Sequence, residues 1–106
     1  MLTFEKVLKE FEFYLSQDDM FEVVMTSRGY TVLGWDERAK DWCDTVFCGT
    51  PEALMKTLLN AHSNYWEANI TNGMRDLTEK ERRLLDELTQ QMRNRCLNAE
   101  GISQEE

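Results

Sequence analysis

The chain has one proline, one histidine and five glycines in 106 residues. The glycines never cluster as G-x-x-x-x-G-K-[ST] or G-x-G-x-x-G, so the backbone cradles that hold nucleotide phosphates are absent. No stretch of about 18 apolar residues exists, which leaves no segment that would cross a membrane as a helix. The first ten residues carry Glu5, Lys6, Lys9 and Glu10, where a secretory leader needs an apolar run. The expectation is a chain that is neither exported nor membrane-spanning.

Positive charge is also scarce. Twelve basic residues stand against twenty acidic ones, a formal charge of -8, which argues against binding nucleic acid or an anionic membrane and favours basic surfaces. The imbalance is uneven: residues 1–72 hold 12 acidic and 6 basic side chains, residues 73–99 hold 5 and 6, and residues 100–106 hold 3 acidic ones. Cys43, Cys48 and Cys96 are an odd number without C-x-x-C spacing, a usage that fits the reducing cytoplasm better than a disulfide framework.

What remains is 42% hydrophobic and 30% charged, the balance of a globular domain able to bury its own core. Phe4, Val7, Leu8, Phe11, Tyr14 and Leu15 form a helical stripe behind a Thr3 cap, closed by Gln17, Asp18 and Asp19, while Phe13 points away from the docking face. Residues 21–26, 30–35 and 42–47 read as strands. Ser27, Arg28 and Gly29 read as a three-residue hairpin loop with Gly29 in the left-handed position, and 36–41 as a polar loop. Thr50, Pro51 and Glu52 start a second helix that stops at Asn72 and Gly73. Its apolar arc is wide enough to be packed on two sides. A Thr78–Glu81 capping box opens a third helix to about Leu97. The expected fold is α+β in the order α-β-β-β-α-α, a three-stranded antiparallel sheet packed with helices. Residues 1–98 form one domain and 99–106 an acidic mobile tail.

A three-residue loop sets Thr26 opposite Tyr30 and Val24 opposite Val32. Phe21, Val23, Met25, Leu33 and Trp35 then share the core side. Cys43, Thr45 and Phe47 join them, because the other phase of the third strand would bury Asp44 without a partner. Glu22, Val24, Tyr30, Val32, Trp42, Asp44 and Val46 fall on the opposite face, too apolar to stand in water uncovered. Its cover is a helix of the same chain, a second copy or an external partner.

The candidate chemistry is thin. Cys48 precedes a helix N-terminus, where a thiolate gains stability, yet His62 sits about three turns further along, beyond reach as its base. Cys43, Asp44, Cys48 and His62 have no metal-ligand spacing, and two packed thiols and a surface imidazole are the simpler reading. Acid pairs such as Asp18-Asp19 and Asp36-Glu37 fall at helix ends and turns, where solvated carboxylates are ordinary. Arginines of the third helix alternate with acids, as on a wet helical face rather than a nucleic-acid surface. No cofactor, metal or catalytic set is expected.

The best candidate is therefore a partner-binding face. Tyr30, Val32 and Trp42 would supply desolvated contact, and Glu22, Asp36, Glu37, Asp41 and Asp44 would steer a basic protein. In element order, small size and acidity the chain is similar to some small anti-CRISPR inhibitors. That resemblance covers most of the chain, rests on no motif, and implies an accessory protein of a bacterial or mobile-element genome. The expected function is a non-enzymatic interaction module, a regulator or inhibitor. A structural homodimer and a Cys48-dependent enzyme are the alternatives.

Overall fold

A computed structural model describes residues 2–105, with side chains through residue 97. The element order is α1 (Phe4–Gln17), β1 (Phe21–Thr26), β2 (Gly29–Asp36), β3 (Asp41–Cys48), α2 (Pro51–Thr71) and α3 (Glu79–Glu105). The strands form one antiparallel sheet in the order β1-β2-β3, the α+β arrangement expected. Helix α3 continues to Glu105, past the end expected near Leu97 and through the stretch expected as an acidic tail.

Helix starts follow local chemistry. The Thr3 hydroxyl accepts the Lys6 N–H at 3.2 Å and the Thr50 hydroxyl accepts that of Ala53 at 3.1 Å, each satisfying a donor that has no partner within the helix. Pro51 at the first helical position forgoes an N–H that would have been unpaired anyway. Asn72 ends α2 in the left-handed conformation, at φ 57°. Thr78 and Glu81 form the expected capping box, with bonds of 3.1 and 2.9 Å. Arg75 clamps the Glu81 carboxylate through two bonds of 2.7 and 2.8 Å.

Packing follows helical periodicity. Val7, Phe11 and Tyr14 of α1 are buried four and three residues apart, as are Leu54, Leu58 and Ala61 of α2. Helix α2 touches β2, β3, α1 and α3, which accounts for its wide apolar arc. Met92 and Cys96 bring α3 into the same core, while Phe13 stays exposed.

The hairpin register differs from the expected one. Only Ser27 and Arg28 separate the β1–β2 strands, so Thr26 pairs with Gly29, Met25 with Tyr30, Val23 with Val32 and Phe21 with Gly34. Gly29 is the first residue of β2 rather than the last of the loop. Its φ of +144° and its position against the Cys48 carbonyl, where a Cβ would collide, are the reasons it is glycine. The Thr26 hydroxyl closes the turn by donating to the Gly29 carbonyl at 3.2 Å.

Shifting the pairing by one exchanges the faces of β2. Val32, expected on the open side, is 2% exposed in the core, and Tyr30 packs on Phe4 with ring centroids 4.9 Å apart. In β3, Cys48 is opposite Tyr30, Val46 opposite Val32 and Asp44 opposite Gly34, so these three, not Cys43, Thr45 and Phe47, lie on the helix-covered side. Asp44 lies on that side without the burial cost expected of it, because it is exposed. Met25, also expected in the core, is 75% exposed.

Candidate functional site

Helix α1 and the outer strand β1 are joined by a short link, and an open groove of about 800 Å³ runs between them. On the helix side stand Glu5, Leu8, Lys9, Glu12 and Leu15, each three or four residues from another of the set, which puts them along one stripe. Alternation along β1 brings Phe21 and Val23 to the floor. Trp42 reaches the same groove from β3.

Trp42 is placed by a bulge. After the Gly34–Asp44 pair the ladder resumes at Trp35–Trp42, so β3 spends one extra residue, Cys43. The two indoles meet edge to face, with centroids 5.2 Å apart. Gly34 keeps the neighbouring surface low: a Cβ there would press on Asp44 and approach the Phe21 ring.

Charge in the groove is predominantly negative. Glu5, Glu12, Asp18, Asp19 and Glu22 surround it, against Lys9. Asp18 is buried and committed to structure: its carboxylate accepts the Tyr14 hydroxyl at 2.6 Å and the Met20 N–H at 3.0 Å, which turns the chain from α1 into β1. Glu5, Glu12, Asp19 and Glu22 are exposed and belong to no ion pair within 4 Å among the described residues. The groove therefore has an apolar floor and an exposed rim in which acids outnumber the single lysine.

The eight residues expected to form one binding face are dispersed. Trp42 and Glu22 meet in the groove, whereas Tyr30 and Val32 belong to the core side of the sheet. Asp36 and Glu37 organise the β2–β3 turn. The Asp36 carboxylate accepts the Arg38 and Ala39 N–H groups at 2.8 and 3.1 Å, and Glu37 accepts the Trp35 indole N–H at 3.2 Å. Asp41 accepts the Trp42 N–H at 2.8 Å. The acidic stripe of α1 and the paired acids at 18 and 19 were visible as letters; which strand lies beside them was not.

Cys48 is fully buried, its sulfur 3.7 Å from the Val46 carbonyl and 3.6 Å from the Thr57 hydroxyl. Two other expectations are corrected. Cys43 is exposed rather than packed, and nearby Asp36, Asp41 and Asp44, together with partial desolvation as the largest cause, raise its thiol pKa. His62 is buried rather than on the surface, being 6% exposed. Among the described residues no three His, Cys, Asp or Glu side chains gather as a metal-ligand set, and no helix is long and apolar enough to cross a membrane.

Compared with protein-family models, with curated proteins and with solved structures, the chain matches none of them.

Proposed function

We propose that this protein is a non-enzymatic interaction module that captures a basic segment of a protein partner in the groove between α1 and β1. The observation that carries the reading is the pairing of an apolar floor, Leu8, Leu15, Phe21, Val23 and Trp42, with a lining in which five carboxylates stand against one lysine. Apolar contact supplies desolvated area, and unpaired acids steer lysines and arginines into place. A net charge of -8 extends that attraction beyond contact distance. In cellular terms such a module is a cytoplasmic regulator or inhibitor, a role that its small size, unpaired cysteines and element order support.

The test uses a peptide of alternating lysine and leucine as probe. Glu12→Lys with Glu22→Lys should weaken its binding at least roughly tenfold, and rising salt should do the same. Asp86→Lys with Glu87→Lys on α3 gives an equal net charge and should leave binding nearly unchanged. Equal losses in the two double variants would reduce the effect to overall charge and remove the groove as the site.

One observation favours self-association as a second reading. The outer sheet face presents Val24, Leu33 and a 57% exposed Phe47, an apolar strip with no helix over it. Light scattering at two concentrations decides it: a mass of one chain at both excludes the dimer.

A further inference from the structure

Strand β1 stands at one edge of the sheet, with β2 along one side of it and the acidic groove on the other. Phe21, Glu22 and Val23 line that groove in succession. Alternate residues of a strand face opposite sides of the sheet, so a space that meets three in a row reaches round the open edge of β1 itself.

The phase of the ladder decides what that edge offers. The Trp35 N–H donates to the Met20 carbonyl at 2.8 Å, and the register carries this bonded pairing on to Glu22–Leu33, Val24–Thr31 and Thr26–Gly29. Glu22, Val24 and Thr26 therefore direct their N–H and C=O groups towards β2, and Phe21, Val23 and Met25 direct theirs away from it. These outward groups have no backbone partner in another element among the described residues.

Open edges are ordinarily guarded by proline, lysine, a bulge or charge. The opposite edge, β3, is bulged at Cys43 and carries Asp41 and Asp44. Strand β1 runs along β2 without a bulge, a proline or a lysine. Across the groove α1 presents Glu5 and Glu12, and Asp19 stands at the turn, against Lys9. Two β1 edges paired with each other would bring both sets of carboxylates together, whereas an extended segment bearing lysine or arginine meets opposite charge.

We propose that the captured segment binds as a fourth strand: an extended basic peptide whose backbone pairs with the outward groups of Phe21, Val23 and Met25 while its lysine or arginine side chains reach the carboxylates of the groove. Main-chain bonds supply affinity and the acids select the sequence. A strand seated there lies about 4.8 Å from β1. The mode rests on capture of a basic segment in this groove and adds to it the pairing of backbones.

The probe is the peptide of alternating lysine and leucine, titrated against the full chain while NMR follows the shifts of groove residues and the exchange of each β1 amide with water. At a peptide concentration about ten times its Kd, exchange of the Val23 and Met25 amides should slow about tenfold, since it then proceeds only through the free protein. The Glu22 and Val24 amides, already bonded to β2, should change little. Saturable shifts without that alternating protection overturn strand addition and leave capture by side chains standing. No saturable shift at any groove residue removes capture and strand addition together. Protection of Val23 and Met25 that grows with protein concentration in the absence of peptide would assign the edge to a second copy of the chain and overturn the basic peptide as its occupant.

Discussion

Val32 pairs with Val23 across the β1–β2 ladder, and both lie on the side of the sheet that the helices cover. Their contact places Tyr30 beneath Phe4 and turns Leu33 outward. This pairing sets which side chains of β1 and β2 face the helices and which face outward.

The register has a direct mutational readout. Val32→Ala removes two methyl groups from a sealed site and should cost about 2 kcal/mol, whereas Met25→Ala, at an exposed site, should stay within about 0.5 kcal/mol. Urea unfolding of the two variants measures both. The reverse order would restore the three-residue hairpin loop.

Gly29 tests the same turn through the backbone. Its positive φ and the nearby Cys48 carbonyl leave no room for a Cβ, so Gly29→Ala should destabilise by about 2 kcal/mol. By contrast, Gly73 has open space around its Cα and a φ of +71°, so an alanine there meets backbone strain alone. Thermal melts should rank Gly29→Ala as the more damaging change.

Thiol accessibility separates the three cysteines. Cys43 is exposed, while Cys48 and Cys96 are buried and burial pushes the Cys96 thiol up to about 11. A disulfide exchange reagent should modify one thiol in the native protein, and the other two only at the rate of unfolding. Because its pKa is raised, Cys43 should react more slowly than a free cysteine at neutral pH. Fast labelling of Cys48 would revive the activated nucleophile.

Alkaline stability should depend on Tyr14. Burial, then the hydrogen bond to Asp18, raise its pKa well above the ordinary 10.0, so the folded state keeps a proton that the unfolded chain releases. The contribution is full below pH 10 and is lost as pH climbs above it. Tyr14→Phe should flatten this alkaline limb while costing about 1 kcal/mol at neutral pH through the lost bond to Asp18. Denaturant midpoints at pH 7 and about pH 10.5 provide the comparison, and an equally steep alkaline loss in Tyr14→Phe would exclude this tyrosine as the cause.

The acid limb belongs in part to Glu81. The Arg75 clamp, then the Thr78 N–H, lower its pKa from 4.5 to about 2. A depressed carboxylate stabilises the fold above its unfolded value, and that contribution fades as pH falls from 4.5 towards 2. Glu81→Gln should therefore lose less stability than wild type over that interval. A parallel decline of both proteins' melting temperatures would contradict it.

Helix caps at Thr3, Thr50 and Thr78, the Pro51 start, the Asn72 stop and the strand runs are legible in the sequence because each depends on neighbours within about four residues. The six-element order follows from those signals alone. Sheet phase is a different kind of quantity. Whether the loop contains Gly29 turns on a close approach to Cys48, a residue 19 positions away in the chain and brought near only by the β2–β3 pairing. The same holds for His62, buried by rings from α1 and α2. Composition determined an acidic domain with enough apolar surface for one core. Only tertiary packing decided that its exposed carboxylates border a groove with Trp42, because α1 is held over the sheet by its packing on α2 and α3, which no local pattern encodes.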